Sequence, residues 1–434
     1  MTLGEAIAYA LNHNSTVAQQ YAAARAAEHS LAQARAGAFP TVNGTLQNYL
    51  AKSANYEGAY AIIGASQQSV YSQNTAEVGT QYTLDTGGLA FLQLSSARAS
   101  AAQAEETLAN SENQVASTVT NAFYAVVQKA SLVDVDQSDL RYQDALVSAA
   151  KVKEKAGVAA GVDVLRAQVA QAKSASVLVG AQADVEDARE NLAQSIGSSL
   201  DQQFAFPKSI AQPKLPAQPI DALEDVALNT RPDVLAAKDG VAAARFTRKG
   251  WDRELFPQIQ IQAAMGNQFA PTSAGEIVGV DAHGNPIFIP RGTPGFWLLG
   301  ATSTLSLPLV DWGQRRTERA NDDAQLASAE NALDQARTQV QIDVRQNYRA
   351  AQTALSQLSY AREESDLGTE SARIAELQYK HGVIALSDVL QAQQQSVTAQ
   401  SDFVNAEVSY VEAIVKLRVS LGTYTAQSAV ADLQ

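Results

Sequence analysis

The residues whose types could do chemistry are few and poorly spaced for it. His13, His29, His283 and His381 are scattered without the short intervals of a ligand set, so no metal site is expected. The chain has no cysteine, which removes disulfides, thiolate ligands and sulfur nucleophiles. It has no Gly-rich phosphate loop and no nucleophile elbow, so neither a cofactor nor an enzymatic activity is expected. What remains is charge. Acidic residues number 45 against 32 basic ones, a net charge of −13 with no basic stripe, which argues against nucleic acid as a partner. Most carboxylates fall at helical surface positions, where solvation accounts for them. Asp388 follows Ser387 at the start of a helix-like segment; a serine there can cap, and the helix dipole favours the carboxylate.

The elements that hold these residues are written twice. Lys155–Gln168 matches Lys380–Gln393 at nine of fourteen positions, at an offset of 225. Ser195-Ile196-Gly197 and Ser420-Leu421-Gly422 share that offset. Asp85-Thr86-Gly87 with Asp311-Trp312-Gly313, and Asn121 with Asn347, pair at 226. Ala10-Leu11-Asn12 with Ala227-Leu228-Asn229, and Phe39-Pro40 with Phe256-Pro257, pair at 217. Collinear matches along the whole chain mark an internal duplication. The jump of nine between Pro40 and Asp85 places a longer exposed loop in the second copy.

Each copy predicts the same order. Residues 89–156 contain no Gly or Pro, and residues 314–381 contain only Gly368. At ~1.5 Å per residue each stretch makes a helix of roughly 100 Å. Ala101, Ala104, Leu108, Ser111, Val115, Thr118 and Ala122 alternate steps of three and four, a coiled-coil seam of small residues. Return helices follow at 162–196 and 387–421. Half-length segments precede, Leu3–Ala36, opened by the capping box Thr2…Glu5, and 221–256. The domain reading is therefore a first repeat over 1–197, a Pro-rich link over 198–220 and a second repeat with a C-terminal tail over 221–434.

Four segments alternate with period two: Thr41–Leu50, Ser72–Leu84, Gln258–Met265 and Phe296–Val310. The strand pairs span 41–84 and 258–310. Alternation by itself fits a soluble sheet with one wet face at least as well as membrane strands. No run of 18 apolar residues offers a transmembrane helix. If the strands do lie in a membrane, four cannot close a barrel, since the smallest have about eight, and several chains must contribute.

Thr2-Leu3-Gly4-Glu5-Ala6-Ile7, Asn229-Thr230-Arg231-Pro232-Asp233, Phe256-Pro257, Asp311-Trp312-Gly313 and the paired Gly-Val…Asp-Val-Leu…Ala-Gln turns together resemble the TolC family of outer-membrane efflux proteins, over residues 2–424. The resemblance implies a mainly α chain with a membrane β-barrel portion. Three copies would form a twelve-stranded barrel in Gram-negative outer-membrane lipid, continued by a long α-helical coiled-coil barrel in the periplasm. It implies a homotrimer that partners a periplasmic adaptor and an inner-membrane transporter as the exit duct for small molecules. The outer-membrane component of a type I protein secretion system, or a periplasmic adaptor, are the alternatives. The tip turns would lie at the periplasmic entrance, with Gly157, Val158, Gly382, Val383, Leu165 and Leu390 in the adaptor-docking surface. Asp388 would ring the entrance, with Gln391 where some relatives carry a second acid. Tyr379 and Asp163 would be joined by a hydrogen bond that helps hold neighbouring helices shut. Ile384 replaces a latch arginine of some relatives, so packing would carry more of the gate.

Overall fold

Thr2 opens the first helix with the expected capping box. The Thr2 amide donates to Glu5 Oε2 at 2.8 Å and the Glu5 amide donates to Thr2 Oγ1 at 3.4 Å. The computed structural model describes residues 2–55, 67–157, 160–197, 206–207, 210, 212–253, 256–269, 277–280, 283, 286–288, 296–306, 310 and 312–424. Helix α1 is Leu3–His13 and α2 is Ser15–Ala36, followed by strands β1 (Thr41–Asn55) and β2 (Gln67–Asp85). Helices α3 (Leu89–Lys155) and α4 (Gly161–Ile196) complete the first repeat. The second contains α5 (Ile220–Thr230), α6 (Pro232–Arg253), β3 (Gln258–Phe269), a small hairpin β4 (Ile277–Val280) and β5 (Pro286–Phe288), β6 (Phe296–Ser306), α7 (Gln314–Lys380) and α8 (Leu386–Ser420).

Each half-length segment read from the sequence as one helix is two, of 11 and 22 residues. Asn14 is extended; its side-chain oxygen accepts from the Thr16 amide at 2.8 Å, which stops α1 and starts α2. Arg231 makes the same break in the second repeat because Pro232 disfavours a helical residue before it.

The duplication is sharper in three dimensions than in letters. Helices α3 and α7 have 67 residues each and begin 225 apart (314 − 89). Positive-φ glycines come as pairs at the same interval: Gly88 with Gly313, Gly157 with Gly382, Gly197 with Gly422. The pairings at 226 are therefore one residue out of register. Gly88, not Gly87, matches Gly313, and Asn121 matches Gln346 rather than Asn347. One extra residue within a helix would turn the rest by about 100°. The offset changes by eight between the repeats, not nine, and the β4–β5 hairpin occupies the longer connection.

Contacts divide the chain into two units, each drawn from both repeats: residues 1–27, 100–241 and 328–434, and residues 28–99 and 242–327. The first is helical and holds two matched cores. Ile7, Val17, Val115, Val119, Phe123 and Leu192 fill one; Val234, Val340, Val344, Ile414 and Leu417 fill the other. Val17 and Val234, Val115 and Val340, Val119 and Val344, and Leu192 and Leu417 are equivalent positions of the two repeats. The α3 seam departs from the expected one: beyond Val115 it runs through Val119 and Phe123, while Thr118 is exposed. Steps of four suit a helix of 3.6 residues per turn packed over a short span.

The link crosses both cores: Phe206 and Ile210 pack on the first and Leu215 on the second, and Tyr410 donates its hydroxyl hydrogen bond to the Pro213 carbonyl at 2.6 Å. Arg231 clamps this region, bonding Asp233 through Nε (3.0 Å) and Nη2 (2.6 Å) and Asp343 through Nη1 (2.8 Å). Its partners hold the guanidinium charged and raise its pKa despite the opposing effect of burial.

The second unit contains the antiparallel sheet β1-β2-β3-β6. Strands β1 and β3 run further than the sequence reading by five and four residues at their ends, and β2 by five at its start and one at its end, whereas β6 ends at Ser306. Residues 307–309 of the expected last strand lie outside the described residues. Register puts Val42 opposite Thr80, Val78 opposite Met265, Tyr82 opposite Ile261 and Ile259 opposite Leu305, so one face is apolar across all four strands. Thr45, Glu77, Gln81, Gln260, Gln262 and Thr304 share the other. The apolar face is open: Leu46 is 81% exposed and Leu299 83%.

Candidate functional site

The two helix reversals, from α3 to α4 and from α7 to α8, are local consequences of glycine. At the end of α7 the Gly382 amide donates to the Tyr379 carbonyl at 3.0 Å, and the Val383 amide donates to that of Gln378 at 2.9 Å. This paired closure needs a left-handed residue, which Gly382 supplies at φ 75°. Gly157 does the same for α3 at φ 73°. A Cβ at either position would meet nothing within 4 Å, so backbone conformation and not packing requires glycine there. Val158 lies outside the described residues.

Beneath the turns a third core joins the two hairpins through Leu146, Val147, Val164, Tyr379, Leu386 and Val389. Val164 and Val389 are equivalent and both buried. Leu165 and Leu390 are equivalent but not alike: Leu390 packs against this core, whereas Leu165 is exposed, as is Val383. Leu165 and Leu390 both line a groove of about 510 Å³ with Val169, Asp136, Asp139 and Lys173.

Asp388 is exposed in the first turn of α8. The cap is Ala385, not Ser387. With no side-chain oxygen on Ala385, only the reciprocal half of a capping box forms, the Ala385 amide donating to Asp388 Oδ2 at 3.3 Å. Ser387 donates to Asp388 Oδ1 at 3.3 Å. Gln391 is exposed on the following turn.

Tyr379 and Asp163 are brought into the same neighbourhood but share no hydrogen bond within the chain. Asp163 pairs with Arg166 at 3.7 Å. The Tyr379 hydroxyl is buried with no partner, and its pKa is raised by desolvation and then by the Asp163 charge. The ring is instead covered by Lys153, whose Nζ lies 3.7 Å from the ring centroid and donates to the Tyr379 carbonyl. Sequence reading missed Lys153. Its only signal was asymmetry: at offset 225 its counterpart is Gln378, and that of Tyr379 is Glu154. Among the described residues no group of acidic or histidine side chains could hold a metal ion.

Residues 6–198 and 223–423 match the family described as Outer membrane efflux protein. The outer membrane efflux protein BepC of Brucella suis is 26% identical over 434 residues, covering 98% of this chain and 86% of its own. The pyoverdine export outer membrane protein OpmQ of Pseudomonas aeruginosa is 23% identical, covering 95% and 83%. Among solved structures, the outer membrane protein VceC of Vibrio cholerae superposes with a TM-score of 0.76 at 17% identity, covering 97% and 96%. The open-state MtrE outer membrane channel of Neisseria gonorrhoeae gives 0.77 at 19%, covering 98% and 91%.

Proposed function

The chain belongs to the outer membrane efflux protein family, and from that premise we propose that three copies build the outer-membrane exit duct of a tripartite efflux pump, passing small molecules outward without chemistry of their own. The observation that carries the reading is the sheet. It has two unpaired edges, β1 and β6, and an exposed apolar face that spans four strands. In water such a face invites aggregation. In a bilayer it meets acyl chains, and the edges are closed by joining β1 of one copy to β6 of the next. Three copies give twelve strands, enough for a water-filled lumen lined by the Gln- and Thr-rich face.

The tip turns then form the periplasmic entrance. An adaptor docks there through Gly157, Val158, Gly382, Val383, Leu165 and Leu390, and an inner-membrane transporter supplies the energy. Asp388 gives the entrance three carboxylates that favour cations, with Gln391 adding no charge. Tyr379 and Asp163 belong to the gate.

Crosslinking of the detergent-extracted protein, followed by planar-bilayer recording, tests the reading. Trimers that conduct are expected. A monomer, or a trimer that leaves the bilayer non-conducting, would overturn it.

A further inference from the structure

Lys153 stands in the last turn of α3, and Tyr379 in the last turn of α7. The carbonyls of a last helical turn lack the usual intrahelical partner and carry the negative end of the dipole, and that of Tyr379, which accepts from the Gly382 amide, keeps a second lone pair for another donor. The Lys153 ammonium reaches across from one hairpin to the other and meets that end in two ways. It donates to the Tyr379 carbonyl and sits over the face of the Tyr379 ring. Lys153 is half-buried and Tyr379 is buried.

The hydrogen-bond latch expected of Tyr379 and Asp163 is not made within the chain. Asp163 is engaged by Arg166, and the Tyr379 hydroxyl has no partner. At the hairpin ends the polar tie is instead the lysine, above a deeper one in which Gln393 Nε2 donates to Asp139 Oδ1 at 2.9 Å. The duplication makes this informative. At offset 225 the equivalent contact would set Gln378 against Glu154, with neither a cation nor a ring. The tie therefore belongs to one of the two quasi-equivalent hairpin interfaces only.

We propose that Lys153 is the gating strap of the entrance: by holding the end of α7 against α3 it limits how far the second hairpin can swing outward, and so sets the aperture. This rests on the exit-duct reading. The strap makes opposite demands on two variants from those of a Tyr379–Asp163 hydrogen bond. Removing the Tyr379 hydroxyl leaves both strap contacts intact; removing the Lys153 charge breaks both.

Single-channel conductance of the trimer tests this with Lys153→Met, Lys153→Arg and Tyr379→Phe, each checked for an intact trimer. Lys153→Met is expected to raise conductance about twofold, Lys153→Arg, which keeps a donor and a cation for the ring, stays near the parental value, and Tyr379→Phe changes conductance less than Lys153→Met. An intact Lys153→Met trimer with parental conductance overturns the strap, as does a Tyr379→Phe variant that opens as widely as Lys153→Met. A second readout is independent of conduction. Because the chain has no cysteine, spin labels can be placed cleanly on Glu154→Cys and His381→Cys. Lys153→Met should lengthen and broaden their separation. An unchanged separation overturns the strap even if the protein conducts nothing, whereas a parental protein that does not conduct counts against the duct alone.

Discussion

Ala263 and Gln262 are neighbours on β3 with opposite destinies. Ala263 lies on the apolar face, paired with Thr80 and Ala301; Gln262 lies on the polar face, paired with Gln81 and Thr302. Ala263 is five residues from the strand start at Gln258, roughly 16 Å along a strand at ~3.3 Å per residue. With a tilt of ~40° that is about 13 Å along the membrane normal, near the middle of an apolar band ~25 Å tall that begins at the strand starts. An arginine facing lipid at that depth costs ~2–4 kcal/mol, whereas a lumen-facing one costs little. Ala263→Arg should thus lower the folding equilibrium by about 30- to 1,000-fold per chain, at a factor of ten per ~1.4 kcal/mol, with three copies compounding it. Gln262→Arg, at nearly the same depth, is the control. Denaturant titration in lipid vesicles, together with the yield of detergent-resistant trimer, measures both. Equal stability of the two variants, or greater damage from Gln262→Arg, would refute the assignment of the faces and leave a soluble sheet.

Gly422→Ala should destabilise far more than Gly157→Ala in thermal unfolding. Both positions are left-handed, worth ~1–2 kcal/mol against a side chain, but a Cβ at Gly422 would also meet Arg231 Cα and N at 2.8 Å, whereas one at Gly157 meets nothing. Comparable losses would show that φ alone matters. Arg231→Ala should cost ~1–3 kcal/mol in denaturant unfolding because the half-buried Asp233 and Asp343 carboxylates lose their charge-assisted hydrogen bonds. Arg231→Lys should recover only part, since one ammonium cannot reproduce a planar fork across two acids; full recovery would refute the clamp. Asp388→Asn should reduce the cation-to-anion permeability ratio about twofold, read from reversal potentials in a salt gradient, with the effect fading at high salt. An unchanged ratio would remove Asp388 from the entrance.

Long-range order was legible where a single interaction type repeats. The absence of Pro from two long stretches with Gly368 as their one glycine, and the alternation of Gln258–Gln262, followed directly into helix and strand. The glycine punctuation carried the duplication with it. What escaped depends on packing or on one residue of register. The 226 spacings looked as good as the 225 ones in letters, and the equal helix lengths and paired left-handed glycines decide between them. The breaks at Asn14 and Arg231 interrupt apolar patterns by side-chain hydrogen bonding and by the following proline, not by any loss of periodicity. Ser387 resembled a cap because its type is right, yet the chain enters α8 two residues earlier, at Ala385. Tyr379 came from the family resemblance, and its contact with Lys153 did not, because Lys153 is 226 positions away and lies on another helix.

The matched lengths of the helices turn reach into a stepped quantity. One residue added to α3 would rotate every side chain beyond it by about 100° and strip the matched cores of their partners. A whole seven-residue block nearly preserves the seam, turning it by only about 20° and adding ~10.5 Å. That block must be answered in the return helix α4, and again in α7 and α8, or the two tips no longer end level. A longer or shorter duct is therefore reached by four concerted heptad changes per chain. A cell envelope of different depth would demand all of them together, which makes helix length in this chain a fossil gauge of the gap it was built to bridge.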